Sequence, residues 1–202
     1  DYLQLDGLVY KLVPVNSSIE KETAYEMGDI DSYKMYDIVM KWSWGNGDLT
    51  TIYHDPETRK NSISYRTNMA RLMEQLINEG KTGKAKKIID LALTKMPMDY
   101  YGYYTMVEPF ASGYYKLGEK TKARELLERL MTKYKQSLTY YSNIEPSIQN
   151  GIANDDIIPD MLRYRSLLIV MKDRGDMVFY NKNKPVFNSF VQRFNRFGRD
   201  LE

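Results

Sequence analysis

The residues able to do chemistry are few. One histidine, His54, stands beside Asp55 and Glu57, and there is no cysteine. Disulfides, thiolate metal sites and cysteine nucleophiles are therefore excluded. A lone imidazole among sequence-adjacent carboxylates lacks the spacing that puts metal ligands or a Ser-His-Asp relay on one face, so His54 reads as part of a solvated turn. The acidic pairs Asp29/Asp31 and Asp155/Asp156 do not lie in an Asp-x-Asp-x-Asp-Gly loop, and Asp31 and Asp156 read as helix caps. Gly45-x-Gly47 lacks both the further glycine of a dinucleotide loop and the Lys-Ser/Thr of a phosphate loop. No cofactor and no metal ion is expected.

What remains is aromatic. The chain has 18 tyrosines, and Tyr100, Tyr101, Tyr103 and Tyr104 cluster around Gly102, with Trp42 and Trp44 elsewhere. Aromatic faces stack on sugars and anchor peptides, and they also fill seams between helices, so this cluster is either a binding surface or packing. A hydrolase built on carboxylates such as Glu74 and Glu108 is a further alternative, which needs both to face one cleft.

Lys and Arg total 29 against 27 Asp and Glu, a net charge of +2 that gives no electrostatic reason to expect nucleic acid. No segment approaches the roughly 18 uncharged apolar residues that would span a bilayer. The first residue is Asp1 and no basic-then-apolar leader follows, so the chain is expected to be a soluble piece of a longer protein.

The elements that must position these residues are mostly helical. Leu3, Leu5, Leu8, Tyr10 and Leu12 alternate around Asp6-Gly7, which predicts a hairpin with Leu5 facing Leu8 and Leu3 facing Tyr10. Asn16 to Asp29 is polar and irregular. Asp31 caps a helix over about 32–43 with Met35, Ile38, Val39 and Trp42 on its buried face, broken by Gly45-Asn46-Gly47-Asp48. The chain through His54-Asp55-Pro56 reads as a loop.

Two helix hairpins follow. Met69, Leu72, Met73, Leu76 and Ile77 stripe one helix up to Gly80, and Ala85, Ile88, Ile89, Ala92 and Met96 stripe the next up to Pro97. Val107, Phe110, Ala111, Tyr114 and Tyr115 then lead to Gly118, followed by Ala123, Leu126, Leu127, Leu130, Met131 and Tyr134. Gly80-Lys81-Thr82-Gly83-Lys84-Ala85 superposes on Gly118-Glu119-Lys120-Thr121-Lys122-Ala123 at an offset of 38. A period of this size carried by helix pairs marks a solenoid. Beyond Gln136 the pattern predicts a short helix around Leu138 to Ile144, a break at Asn150-Gly151, and a helix from Pro159 through the all-round apolar run Leu167 to Met171. A last helix from Pro185 carries Phe187, Phe190, Val191, Phe194 and Phe197 on one face and Arg193, Arg196 and Arg199 elsewhere. That pair is a degenerate third unit, a cap, or, for the last helix, an interfacial helix on an anionic membrane.

Ala85 and Ala92 seven residues apart, closed by Pro97, resemble the packing alanines and terminal proline of a tetratricopeptide repeat. The second hairpin keeps Ala111, Tyr114 and Ala123 but has Leu130 and Lys135 in place of Ala and Pro. The resemblance implies an all-α fold of tetratricopeptide-like hairpins in a right-handed solenoid, with a small N-terminal β-hairpin or extended segment. One structural domain is expected, in three parts: 1–61, the hairpin and one helix; 62–136, the two helix hairpins; and 137–202, the capping helices. The first helix of each hairpin would then line a concave groove with Thr67, Arg71, Glu74, Asn78, Glu108, Ser112 and Lys116.

Tyr2-Leu3-Gln4-Leu5-Asp6-Gly7-Leu8-Val9-Tyr10-Lys11-Leu12-Val13-Pro14, Lys34-Met35-Tyr36-Asp37 with Trp44-Gly45, and Tyr114-Tyr115-Lys116-Leu117-Gly118-Glu119-Lys120 resemble the C-terminal soluble region of large Bacteroidetes membrane proteins. Those proteins are similar to polytopic protein O-mannosyltransferases. The resemblance implies an extracytoplasmic, periplasmic tail that touches the membrane only through a missing N-terminal part, with no catalytic residue of its own. The function expected is a non-catalytic scaffold for a protein or peptide partner. The alternative is a carbohydrate-binding accessory module that uses the tyrosine cluster on a glycan.

Overall fold

A computed structural model of the chain describes residues 2–14, 27–45 and 51–197, which are mostly helical with one small antiparallel sheet. It divides into two compact units, residues 1–118 and 119–202.

The first unit opens with strands β1 (Leu3–Asp6) and β2 (Val9–Leu12). The hairpin exists, but its register is shifted from the sequence expectation: Leu5 pairs with Tyr10 and Leu3 with Leu12. The turn centre is Gly7-Leu8, and Gly7 alone of the two takes a positive φ, +71°. A left-handed first position followed by an ordinary second is the type II′ pattern, which asks for glycine first, so Gly7 rather than Asp6 decides the turn. Asp6 is left free to pair with Lys11 at 2.7 Å. Leu5 alone of β1 is fully buried, while β2 is exposed throughout. Asp29 bonds the other edge of β1, its N–H donating to Leu3 O and its carbonyl accepting from Leu5 N, both at 2.8 Å.

Helix α1 (Ser32–Met40) starts where Asp31 accepts from the Lys34 N–H at 3.1 Å. It ends before Trp42, so Met35 and Val39 are fully buried while Ile38 is 37% exposed. The residues around Asn46–Asp48, and most of the polar stretch from Asn16, lie outside the described ones. The expected loop at Asp55-Pro56 is instead helix α2 (Pro56–Lys60), because Asp55 caps the Glu57 and Thr58 N–H groups and Pro56 fits the first helical position. Helices α3 (Ser62–Asn78) and α4 (Thr82–Lys95) form the first hairpin, with Met69, Leu72, Met73, Leu76, Ala85, Ile88, Ile89 and Ala92 all fully buried. After α5 (Met98–Tyr101), helix α6 (Glu108–Lys116) lies against both α3 and α4.

In the second unit, α7 (Lys120–Ser142) continues unbroken through the segment expected to form a separate short helix. Nothing interrupts its stripe, since Leu138 extends the face of Leu130, Met131 and Tyr134 by one more turn. Asn150-Gly151 does not break the chain either: it sits inside α8 (Pro146–Ile152). Asp156 falls within a π-helical turn, Ala153–Ile157, that feeds α9 (Ile158–Asp173), so it is not a cap. Along α9, Leu167, Leu168 and Met171 are buried but Ile169 is 47% exposed, so that run is covered on one side only. Helix α10 (Met177–Arg193) begins eight residues before Pro185, which lies in its interior. The phenylalanine face of α10 is turned inward: Phe187 stacks on Tyr164 at 5.8 Å, and Phe190 and Phe194 are buried. That burial leaves no aromatic face on α10 for a membrane surface. No helix among the described residues is long and apolar enough to cross a membrane.

One local structure recurs three times. Glu79-Gly80-Lys81, Leu117-Gly118-Glu119 and Arg174-Gly175-Asp176 each run from a helix end, through a glycine at φ +73°, +77° and +69°, into the next helix. The residue after glycine has φ/ψ of −82°/53°, −84°/56° and −88°/59° in turn. In the first and third, the residue after glycine also donates back to the helix it leaves, Lys81 N to Leu76 O and Asp176 N to Met171 O, both at 2.8 Å. This is a Schellman C-cap, which needs a left-handed residue and hence glycine. The second occurrence begins α7 and the third begins α10.

Candidate functional site

Two clusters in the first unit gather the chemistry. The first surrounds the tyrosine-rich connection. Arg66, fully buried on α3, donates from Nη1 to Gly102 O at 2.6 Å and from Nη2 to Met96 O at 2.8 Å. Burial brings its guanidinium down to about 10, with the Tyr101 and Tyr104 side chains opposing that shift. These bonds cap the carbonyls that α4 and α5 leave open, and they hold Tyr103 in its left-handed conformation, φ 48°, rare for a side chain of that size.

Tyr100 is equally committed. Its hydroxyl donates to Ile52 O at 2.7 Å and accepts from the His54 backbone N–H at 2.9 Å. His54 Nδ1 lies 2.8 Å from the same oxygen. With the phenolic proton on Ile52, Nδ1 must be the protonated nitrogen and the second donor to that oxygen. His54 is therefore half-buried and bonded, not a free turn residue as the sequence suggested. Arg59 lies 5.7 Å over the Tyr100 ring. Of the four clustered tyrosines, Tyr101 is buried, Tyr100 and Tyr104 are half-buried, and only Tyr103 is exposed.

The second cluster was not assembled from the sequence. Trp42, Trp44 and Tyr65 pack pairwise, with centroids 5.8, 5.1 and 5.6 Å apart and two of the three pairs edge to face. All three rings are half-exposed. The hairpin turn braces them: a Cβ on Gly7 would stand 3.1 Å from both Trp42 Cζ2 and Ile38 Cγ2.

The predicted groove residues are distributed differently from expectation. Glu74 and Lys116 form an ion pair between α3 and α6. Arg71 is tied under the hairpin, donating to Tyr10 Oη at 3.1 Å and Gly28 O at 2.9 Å, and Thr67 Oγ1 points at Met106 Sδ. Asn78 is exposed, and Glu108 and Ser112 are half-buried with partners of their own. Glu108 stands eight residues, roughly 12 Å along α6, from the Lys116 that holds Glu74.

A hydroxyl, amine and carboxylate meet at the first glycine turn. Ser32 Oγ donates to Glu79 Oε2 at 2.5 Å and accepts from Lys81 Nζ at 2.9 Å. Hydrogen bonds from Lys81 and Ser32 hold the Glu79 carboxyl down at about 2, too weak a base to take the serine proton. The cluster fastens α1 to the α3–α4 turn. Among the described residues no three His, Cys, Asp or Glu side chains gather where a metal ion could sit.

Comparison with family models, curated proteins and solved structures finds no match.

Proposed function

We propose that this chain is a non-catalytic interaction scaffold built from tetratricopeptide-like helical repeats. The observation that carries the reading is the recurrent glycine turn, which starts α4, α7 and α10 with nearly identical dihedrals. The seating of α6 against both helices of the preceding hairpin supports it, since each unit of such an array buries its open face on its neighbour. Repeats of this kind present the first helix of each pair to a partner. The exposed Asn78 and the Glu74–Lys116 pair are the polar features of that face on α3 and α6. By its resemblance to the tail region of mannosyltransferase-like membrane proteins, the scaffold would work on the periplasmic side and position a protein or peptide near the membrane-embedded body.

A photo-crosslinking residue placed at Asn78 of the full-length protein tests this in cells, with the same residue at the exposed Lys87 of α4 as control. A discrete adduct from position 78 and none from 87 is expected. Equal labelling at both positions, or none at either, would contradict a partner-binding first-helix face.

A further inference from the structure

The geometry points to a second binding site on the first unit, a saccharide platform formed by Trp42, Trp44 and Tyr65. It stands independently of the scaffold reading. The chain has two tryptophans and both are here, half-exposed and packed on one another and on Tyr65. Edge-to-face contacts of this length fix the rings, so little side-chain freedom would be lost when a ligand lands on them. The support beneath is equally fixed, with Gly7 closing on Trp42 and Asn68 Nδ2 on α3 donating to Gly7 O at 2.8 Å.

Polar groups of the kind a sugar needs border the rings. The Trp42 indole nitrogen is turned to the hairpin, 3.5 Å from where a Cβ on Gly7 would stand, while the Trp44 N–H donates to no described residue and leaves one donor for a hydroxyl oxygen. On α3, Asn68 stands three residues after Tyr65, on its own helical face. The Asn68 amide nitrogen is occupied by Gly7, and its carbonyl oxygen accepts from no described group. Partly exposed aromatic rings with an indole donor and the Asn68 carboxamide oxygen at their edge match a pyranose, whose C–H face stacks on one ring while its hydroxyls both donate and accept. The Tyr100–Tyr104 connection offers less, because the Tyr100 hydroxyl is committed and Tyr101 is buried. The ligand assigned is a neutral oligosaccharide.

Because both tryptophans lie in the site, all tryptophan emission reports on it. The full chain would be titrated with neutral hexose and N-acetylhexosamine oligomers, and separately with a proline-rich peptide, the other ligand class that docks on aromatic ridges. The proposal expects a saturable change in emission with at least one oligosaccharide below about 10 mM, and at least about a tenfold weakening in Trp44→Ala. Isothermal calorimetry would read that variant, with Tyr103→Ala retaining the affinity and circular dichroism showing that both remain folded. No saturation with any sugar overturns the proposal, as does saturation by the peptide alone or sugar affinity unchanged in folded Trp44→Ala.

Discussion

Gly113 of α6 and Met73 of α3 meet where no larger residue fits: a Cβ at position 113 would lie 2.3 Å from Met73 Sδ, 3.0 Å from its Cε and 3.1 Å from Ile89 Cδ1. This contact sets how closely α6 can seat on the first hairpin. Gly113→Ala is therefore expected to destabilise the protein by about 1–3 kcal/mol despite the better helix propensity of alanine. Urea unfolding of the two proteins checks it, and Met73→Ala combined with Gly113→Ala should recover part of the overlap term.

Arg66 predicts a larger loss. The guanidinium is fully buried and bridges Met96 O and Gly102 O, so Arg66→Ala leaves both carbonyls and a cavity behind, at a cost of about 3 kcal/mol or more. Arg66→Lys should rescue little, because one ammonium cannot copy a planar fork. The expected midpoint order is wild type, then lysine, then alanine.

A third prediction concerns acid. The Glu79 carboxyl is held at about 2 in the folded chain against an ordinary 4.5. A depressed carboxylate contributes stability that is fully present above its unfolded value and is lost as pH falls through the folded one. Glu79→Gln should therefore cost most near pH 6 and least near pH 2, with the change falling between about pH 5 and 2. With its side chain 30% exposed, the effect should shrink in high salt. Thermal melts of both proteins across that range show whether the difference closes.

In the second unit, Asp176 is 1% exposed and takes two hydrogen bonds from Arg124, each 2.7 Å, with Lys120 at 3.2 Å. Asp176→Asn removes the charge that balances Arg124 at a buried position. Because Arg124 and Lys120 are 36% and 55% exposed and stay solvated, the expected cost is about 1–2 kcal/mol, visible as a lowered denaturant midpoint.

How legible this was depends on the kind of signal each element carries. The stripes of α3, α4 and α6 were readable because the apolar period and the helical period coincide, and Asp31 declared its cap. Where a local rule was applied alone it failed. Asp6-Gly7 favours one turn, but Gly7-Leu8 forms it, because the register that buries Leu5 against α1 and leaves Asp6 for Lys11 is set by tertiary contacts. Pro185 and Asn150-Gly151 read as boundaries, yet α10 and α8 run through them, since packing of Phe179 and Phe187 in one and a capping proline in the other outweigh a weak residue.

At the candidate sites, Arg66 could have been suspected, because it falls three residues before Met69 and seven before Met73 on a buried stripe. The joining of Trp42 and Trp44 to Tyr65 could not, since no periodicity links residues from different elements. The third glycine turn escaped because it lies 57 residues after the second, not 38.

The recurrent turn is the foundation of the repeat reading, and one set of variants tests it directly. Gly80→Ala, Gly118→Ala and Gly175→Ala each place a side chain at φ near +70° with open space around it, so strain alone should cost about 1 kcal/mol at all three. Gly83→Ala and Gly151→Ala, also in open space but inside helices at ordinary φ, should instead stabilise by about 0.5–1 kcal/mol. Denaturant unfolding of the five variants should divide them three against two with opposite signs. A neutral or stabilising Gly118→Ala or Gly175→Ala would contradict a turn repeated along the chain.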